Sequence, residues 1–126
     1  MPVKVGTDLV EIERFRLVLE RRPKLRDKIF TQEELRYCDS KPQPFQHLAA
    51  RFSAKEAFSK AVGTGVRSFS MREVEVCRDG FGKPAISLTD RALDLAQKLK
   101  IVDMDLSISH SHLFVISVVV IEIGTQ

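Results

Sequence analysis

The chain has 126 residues, of which 44% are hydrophobic and 29% are charged, and this balance is typical of one folded domain with a modest core. Lysine and arginine number 20 against 17 aspartates and glutamates, an excess too small to indicate nucleic-acid binding. The apolar run Val118–Ile121 is far too short to cross a bilayer, so we expect no membrane span.

The cysteines and the first residues bear on the compartment in which the protein works. No basic region followed by an apolar run, the pattern of a secretory leader, is found at the start of the sequence. Cys38 and Cys77 lie far apart and lack the spacing of a zinc site or a disulfide framework. We therefore expect a cytoplasmic protein with two free thiols.

The first predicted elements are a strand and a helix. Residues Val3–Thr7 alternate in polarity, which is typical of a strand with one buried face. After them the apolar positions repeat at helical spacing: Leu9, Ile12, Phe15 and Leu19. Proline cannot continue a helix, so this helix should end before Pro23. Asp8 is then expected near the junction of the strand and the helix.

Basic residues are concentrated between Arg14 and Lys28. Seven residues of this segment are basic and two are acidic, which gives a local balance of +5. Such a segment can attract an acidic partner, although it can equally be an ordinary solvated face.

A short helix and a long helix are predicted next. Thr31 followed by Glu34 is a capping-box pattern and predicts a short helix through Cys38. The long helix should run over Phe45–Val62. It should be closed by Gly63-Thr64-Gly65, because glycine readily adopts the left-handed conformation that ends helices.

The long helix is predicted to have two unlike faces. Small side chains form a narrow stripe that suits close packing: Ala50, Ala54, Ala57 and Ala61. The polar side chains fall on the opposite half: Arg51, Lys55, Glu56, Ser59 and Lys60. We expect functional groups on this polar half.

The rest of the chain is predicted to contain a hairpin, a helix and two strands. Glu73–Arg78 and Pro84–Leu88 flank turn residues and should form the hairpin. After a helix that follows Thr89, the alternating segment Leu106–Ser111 and the Val-rich segment Leu113–Ile123 should pair antiparallel. This order of elements predicts an α+β fold, an antiparallel sheet packed with helices.

The sequence lacks the motifs of several enzyme classes. The six glycines form neither a Rossmann nor a Walker phosphate loop. A GxSxG elbow and an HExxH pair are also missing, so the hydrolase and zinc-protease hypotheses lose their main support.

The remaining polar residues suit a magnesium pyrophosphate. They are Asp8, Arg51, Glu56, Lys60 and Ser109-His110. Mg²⁺ is usually held by one or two carboxylates together with substrate phosphates, and basic side chains offset phosphoryl charge. Spacing alone leaves the simpler alternatives open, since Asp8 could cap a helix and Glu56 could only pair with Lys60 one turn later.

Three segments resemble the signatures of the holo-acyl-carrier-protein synthase family of phosphopantetheinyl transferases. They are Gly6–Ile12 (GTDLVEI), Arg51–Ala61 (RFSAKEAFSKA) with Gly63-Thr64-Gly65, and Ser107–His110 (SISH). Their order and spacing also fit, and the resemblance covers essentially the whole chain as a single domain over residues 1–126. The sequence differs from the family at Lys4, where the family often has an additional glycine, but Asp8 is kept in its expected place.

The resemblance implies a role for each polar residue. Asp8 and Glu56 would bind Mg²⁺, and Lys60 would contact the phosphates of coenzyme A and assist the leaving group. Arg51 and His110 would hold the nucleotide. The proton of the attacking serine would pass to Glu56 or to a metal-bound water positioned by Asp8, and the sequence leaves both possibilities open.

The resemblance also implies partners. The chain would form a homotrimer with sites between neighbouring subunits, and Arg14 with its basic neighbours would face the acidic helix of an acyl carrier protein in fatty acid biosynthesis. Two other hypotheses stay open, a silent module that binds carrier proteins and a basic nucleic-acid-binding domain suggested by the pI of ≈ 9.0. The second lacks a recognised motif, and the chain has no Trp and one Tyr, so we expect no nucleic-acid partner.

Overall fold

The computed structural model describes residues 2–63 and 68–125. The elements in these ranges are β1 (Val3–Glu11), α1 (Ile12–Arg21), α2 (Leu25–Ile29), α3 (Gln32–Asp39), α4 (Pro44–Val62), a 3-10 turn (Met71–Glu73), β2 (Val74–Arg78), β3 (Pro84–Leu88), α5 (Asp90–Lys98), β4 (Ile101–His110) and β5 (Phe114–Ile123). This order, with antiparallel strands and packed helices, confirms the predicted α+β fold. Over the described residues no helix is long and apolar enough to cross a membrane.

The strands form two antiparallel sheets. β5 is the central strand of a sheet with the order β1-β5-β4, while β2 and β3 pair as the predicted hairpin. The side chains of β5 alternate between a buried and an open face, as a strand requires. The buried ones are Val115, Ser117, Val119 and Ile121, and the exposed ones include Ile116 and Val120. One face of this sheet is therefore covered and the other is open.

Helix α4 covers the inner face of the sheet and is buried on nearly every side. Ala54, Ala57 and Ala61 of the predicted small stripe lie in the core. The predicted polar half is not a solvated face, however, because Lys55 and Ser59 are buried too. Lys55 can be buried because α3 and β2 pack on this side of α4 and supply partners for its ammonium group.

The close approach of β1 to α4 depends on a glycine. A Cβ on Gly6 would lie 1.9 Å from the carbonyl oxygen of Ala57 and 2.6 Å from the amide nitrogen of Ala61, and neither backbone atom can move aside locally. We therefore expect Gly6→Ala to lower the free energy of unfolding, measured in urea, by about 3 kcal/mol. Gly80→Ala is the matched control, since nothing lies within 4 Å of its Cβ. Equal losses in both variants would contradict this explanation.

β1 is longer than predicted. It continues to Glu11, and α1 begins only at Ile12, so Asp8 lies inside the strand and not at its junction with the helix. Leu9 fits a helical spacing in the sequence, but its side chain is 62% exposed while that of Val10 is buried. This alternation belongs to a strand, and pairing along the whole of β5 outweighs the local pattern.

Most other boundaries agree with the prediction, except that β4 begins at Ile101 and not at Leu106. The capping box of α3 is formed, with Thr31 Oγ1 accepting from the Glu34 amide and Glu34 accepting from the Thr31 amide. Helix α4 ends at Gly63, whose φ of 78° is left-handed. The predicted stop continues over residues 64–65, which lie outside the described residues. Helix α2 and the 3-10 turn were not predicted.

Candidate functional site

Asp8 and Lys60 form an ion pair where β1 lies against α4. The Lys60 Nζ is 2.9 Å from Asp8 Oδ1, and the two side chains are 56% and 12% exposed, respectively. The Ser53 hydroxyl donates to the Asp8 carbonyl at 3.1 Å and fixes the strand against the helix. The pair is possible because Gly6 allows this close contact.

Glu56 belongs to the same group and lies one turn before Lys60. Burial raises the pKa of the Glu56 carboxyl, and the negative charge of Asp8 raises it further against the opposing charge of Lys60. Asp8 and Glu56 line one cleft of about 640 Å³, whose remaining lining is largely apolar. The structure thus brings together two carboxylates and a lysine from distant segments. We call Asp8, Glu56 and Lys60 the carboxylate site.

Two adjacent carboxylates favour a cation. Their oxygens are the hard ligands that Mg²⁺ prefers, and a divalent ion would relieve the repulsion between them. Among the described residues, no group of three or more His, Cys, Asp or Glu side chains is placed to hold a metal. A metal at this site would therefore complete its coordination with water and substrate oxygens, as Mg²⁺ usually does.

A second group surrounds Arg51, on another side of α4. This residue is 6% exposed, and its buried Nε has no hydrogen-bond partner among the residues that the structure describes. Its guanidinium carbon lies 4.2 Å from the centroid of the Tyr37 ring. A buried guanidinium group with an unpaired N–H is costly unless an anion completes it. Arg51 is therefore a candidate for binding a phosphate.

Arg51 lines a cavity of about 190 Å³ that we call the arginine pocket. None of its lining residues is acidic, and the polar ones are Gln46, His47, Arg51, Cys77, Arg78 and His110. The Gln46 side-chain amide donates to Nδ1 of His110 at 2.6 Å. Burial lowers the pKa of His47, and the positive charge of Arg51 lowers it further. The pocket is suited to an anionic group.

Within one chain these two groups do not meet. Arg51 and Glu56 are five residues apart on α4, which is a rotation of about 140° around the helix. The cleft of the carboxylate site and the arginine pocket share no lining residue. The structure therefore divides the predicted residues, with Asp8, Glu56 and Lys60 in one group and Arg51 and His110 in the other.

Sequence reasoning missed a buried ion pair behind the site. Lys55 Nζ lies 2.8 Å from Glu34 Oε1, and the two side chains are 0% and 1% exposed. The Lys55 ammonium also donates to the carbonyls of Met71 and Val74, so all three of its protons are used. Glu34 accepts from the Val76 amide as well. The capping-box pattern pointed to Glu34, but nothing in the sequence pointed to its partner.

The basic run contains both paired and unpaired residues. Arg16 pairs with Glu13 and Glu20 on α1. Arg14 is exposed and lines the cleft of the carboxylate site. Four more basic residues of the run are exposed: Arg21, Arg22, Lys24 and Lys28. Of these exposed basic residues, it is Arg14 that lines the cleft, together with Glu11.

This chain is similar to a family of transferases and to curated proteins of that family. A sequence model of the 4'-phosphopantetheinyl transferase superfamily matches residues 4–116. A holo-[acyl-carrier-protein] synthase of Thermoanaerobacter sp. (strain X514) is 43% identical over 117 residues, which cover 93% of this chain and 85% of the relative.

Solved structures are similar over nearly the whole chain. The holo-[acyl-carrier-protein] synthase (AcpS) from Neisseria meningitidis has a TM-score of 0.88 at 34% identity, covering 94% of this chain and 97% of its own. A Chronobacterium ammoniagenes ACPS-CoA complex has a TM-score of 0.87 at 28% identity, covering 99% of this chain and 100% of its own.

Proposed function

Since this chain belongs to the 4'-phosphopantetheinyl transferase superfamily, we propose that it catalyses the reaction after which its relatives are named. It transfers the 4'-phosphopantetheine group of coenzyme A to a serine of apo-acyl carrier protein. The products are holo-acyl carrier protein, for fatty acid biosynthesis, and adenosine 3',5'-bisphosphate. The observation that carries the proposal is that Asp8 and Glu56 line one cleft while Lys60 pairs with Asp8. In this proposal residues 1–126 act as a single transferase domain.

The carboxylate site is assigned to Mg²⁺, with Asp8 and Glu56 as its protein ligands. The donor chemistry fits, because two neighbouring carboxylates, one of them half-buried, favour a divalent cation. When bound, Mg²⁺ would offset the negative charge of the coenzyme A pyrophosphate.

The protein groups then handle the proton and the leaving group. A bond forms between the serine Oγ and the phosphorus that carries the pantetheine arm, while the bond from that phosphorus to the bridging pyrophosphate oxygen breaks. The serine proton must be removed during the attack, and Glu56 in the cleft is the proposed acceptor. Lys60 is exposed enough to leave Asp8 and direct its charge to the departing phosphate oxygen.

The nucleotide end of coenzyme A is assigned to Arg51 and His110. The arginine pocket and the carboxylate site share no lining residue within one chain, and a site formed between two copies would let one donor molecule use both. We therefore propose a homotrimer, in which the arginine pocket of one subunit and the carboxylate site of its neighbour form one complete site. The open face of the sheet suits subunit contact, since it exposes the apolar side chains of Val5, Leu9, Ile116 and Val120.

The acidic carrier protein is assigned to the cleft rim at Arg14, where an exposed basic residue borders the carboxylate site.

We also propose a cytoplasmic location for the protein. Both cysteines of the chain, Cys38 and Cys77, are free thiols, as is usual in a reducing compartment.

Intact mass of an apo-acyl carrier protein, measured after incubation with this chain, coenzyme A and Mg²⁺, tests the proposed function. We expect the carrier to gain one phosphopantetheine group, and we expect a chelator to abolish the gain. A carrier whose acceptor serine is replaced by alanine is the control. If several carriers gained no mass with folded protein and saturating coenzyme A, the proposed activity would be wrong, and binding without turnover would identify a silent module.

A further inference from the structure

Three cations surround one aromatic ring beside the arginine pocket. The guanidinium carbons of Arg51 and Arg78 lie 4.2 and 5.0 Å from the centroid of the Tyr37 ring, and the Lys41 Nζ lies 4.6 Å from it. The His47 ring meets the same ring edge-on, at 5.9 Å between centroids. Tyr37 is thus the shared neighbour of all these basic groups.

In the part of the chain that the structure describes, acidic side chains take no part in this arrangement. Within residues 2–63 and 68–125, neither Arg51 nor Arg78 forms an ion pair. Two nearby carboxylates are occupied elsewhere, since Glu34 binds Lys55 and Glu75 accepts from a threonine hydroxyl. The Tyr37 ring therefore lies beside the buried Arg51 and the exposed Arg78, in the place where a carboxylate is the usual partner.

The choice of an aromatic partner changes what the arginines can do. An aromatic face attracts a cation through its quadrupole, so it orients the guanidinium group without cancelling its charge. A carboxylate would orient the same group but would also neutralise it and repel an anionic ligand. With the ring as partner, Arg51 and Arg78 are oriented and keep their full charge. Arg78 Nη1 also donates to the carbonyl of Gly82 at 2.6 Å, a neutral partner that leaves its charge in place as well.

We propose that Tyr37 is a positioning residue that holds Arg51 and Arg78 for the phosphates at the nucleotide end of coenzyme A. This inference rests on the proposed function of the arginine pocket. Tyr37 does not itself line that pocket, so its effect on the ligand passes through the two arginines.

Binding of adenosine 3',5'-bisphosphate, measured by calorimetry, tests this role without requiring transfer. Tyr37 is replaced by phenylalanine, by phenylalanines with increasing ring fluorination, and by leucine. The Kd of Tyr37→Phe for the bisphosphate should be within about twofold of the wild-type value, because the ring face is kept. The variant with the fully fluorinated ring and Tyr37→Leu should both bind the bisphosphate about tenfold more weakly than the wild type, which corresponds to about 1.4 kcal/mol. The KM for coenzyme A should rise by the same factor with kcat nearly unchanged, since the carboxylate site is untouched.

Fluorination weakens the negative charge on the ring face but keeps the shape of the ring. The series therefore separates the effect of the cation–π attraction from an effect on folding. Tyr37→Leu binding as tightly as the wild type would overturn the inference, and so would binding that does not change along the fluorinated series. A wild type that binds the bisphosphate but transfers nothing would contradict the proposed function alone. A wild type that does not bind it would refute both the pocket assignment and the role of Tyr37.

Discussion

Asp8→Asn and Glu56→Gln are each expected to lower kcat/KM for carrier-protein modification by at least about 100-fold, or about 2.7 kcal/mol of transition-state stabilisation. Each change removes one charged oxygen ligand from the carboxylate site and leaves the side chain nearly the same size. The Mg²⁺ concentration that gives half-maximal activity should also rise, because one carboxylate holds the ion less tightly than two. Initial rates from intact mass over a Mg²⁺ titration measure both effects.

Stability measurements separate a lost ligand from a damaged fold. The raised pKa of Glu56 means that its ionised form opposes folding, so its stabilising contribution is present below the unfolded pKa of about 4.5 and is lost as pH rises through the folded value. At neutral pH in metal-free buffer, Glu56→Gln should therefore be as stable as the wild type or more stable. Asp94→Asn, on the exposed surface of α5, should keep full activity. Full transfer by both site variants would disprove the metal role.

Lys55→Met is expected to lower the free energy of unfolding by about 3–5 kcal/mol, measured by urea titration. The change leaves the Glu34 carboxylate in the core, at 1% exposure, without its cation. It also removes the donor for the carbonyls of Met71 and Val74. The buried Glu34 charge then lacks its counter-ion and two carbonyls lose their donor, which costs far more than the attraction between two exposed charges.

An exposed ion pair provides the matched control. Glu33 and Arg36 pair on α3 with both side chains 71% exposed, so Glu33→Gln should change the free energy of unfolding by less than about 0.5 kcal/mol. The double variant Lys55→Met with Glu34→Gln should recover part of the loss, because no charge is left buried alone. A single Lys55 variant as stable as the Glu33 control would show that the pair does not hold α3 and α4 together.

The elements that could be predicted are those whose local sequence agrees with their tertiary surroundings. Thr31 and Glu34 form a capping box in the structure as their spacing indicates, and Gly63 ends α4 with a left-handed φ. The hairpin of β2 and β3 follows from turn residues between two alternating segments. Each of these features depends mainly on residues that are close together in the sequence, so in this protein distant contacts do not change it.

The features that could not be predicted depend on distant contacts. Leu9 has a helical spacing, but β5 pairs along the whole of β1 and keeps it extended. Lys55 carries a charge that usually stays in solvent, and only packing by α3 and β2 gives it three acceptors in the core. Asp8, Glu56 and Lys60 lie together in the structure, whereas Arg51 lines a separate pocket on another side of α4, a division that depends on the elements packed around this helix.

The pairing of β1 with β5 has a consequence for the order of events on the ribosome. Val3 pairs with Glu122, so a strand made early must wait for one made more than 100 residues later. At about 5–20 residues per second, this delay is roughly 5–25 s. During that interval β1 lacks a strand partner, and its charged residues Lys4 and Asp8 discourage pairing with other nascent chains. Closure of the central sheet is therefore expected as a late, nearly post-translational event.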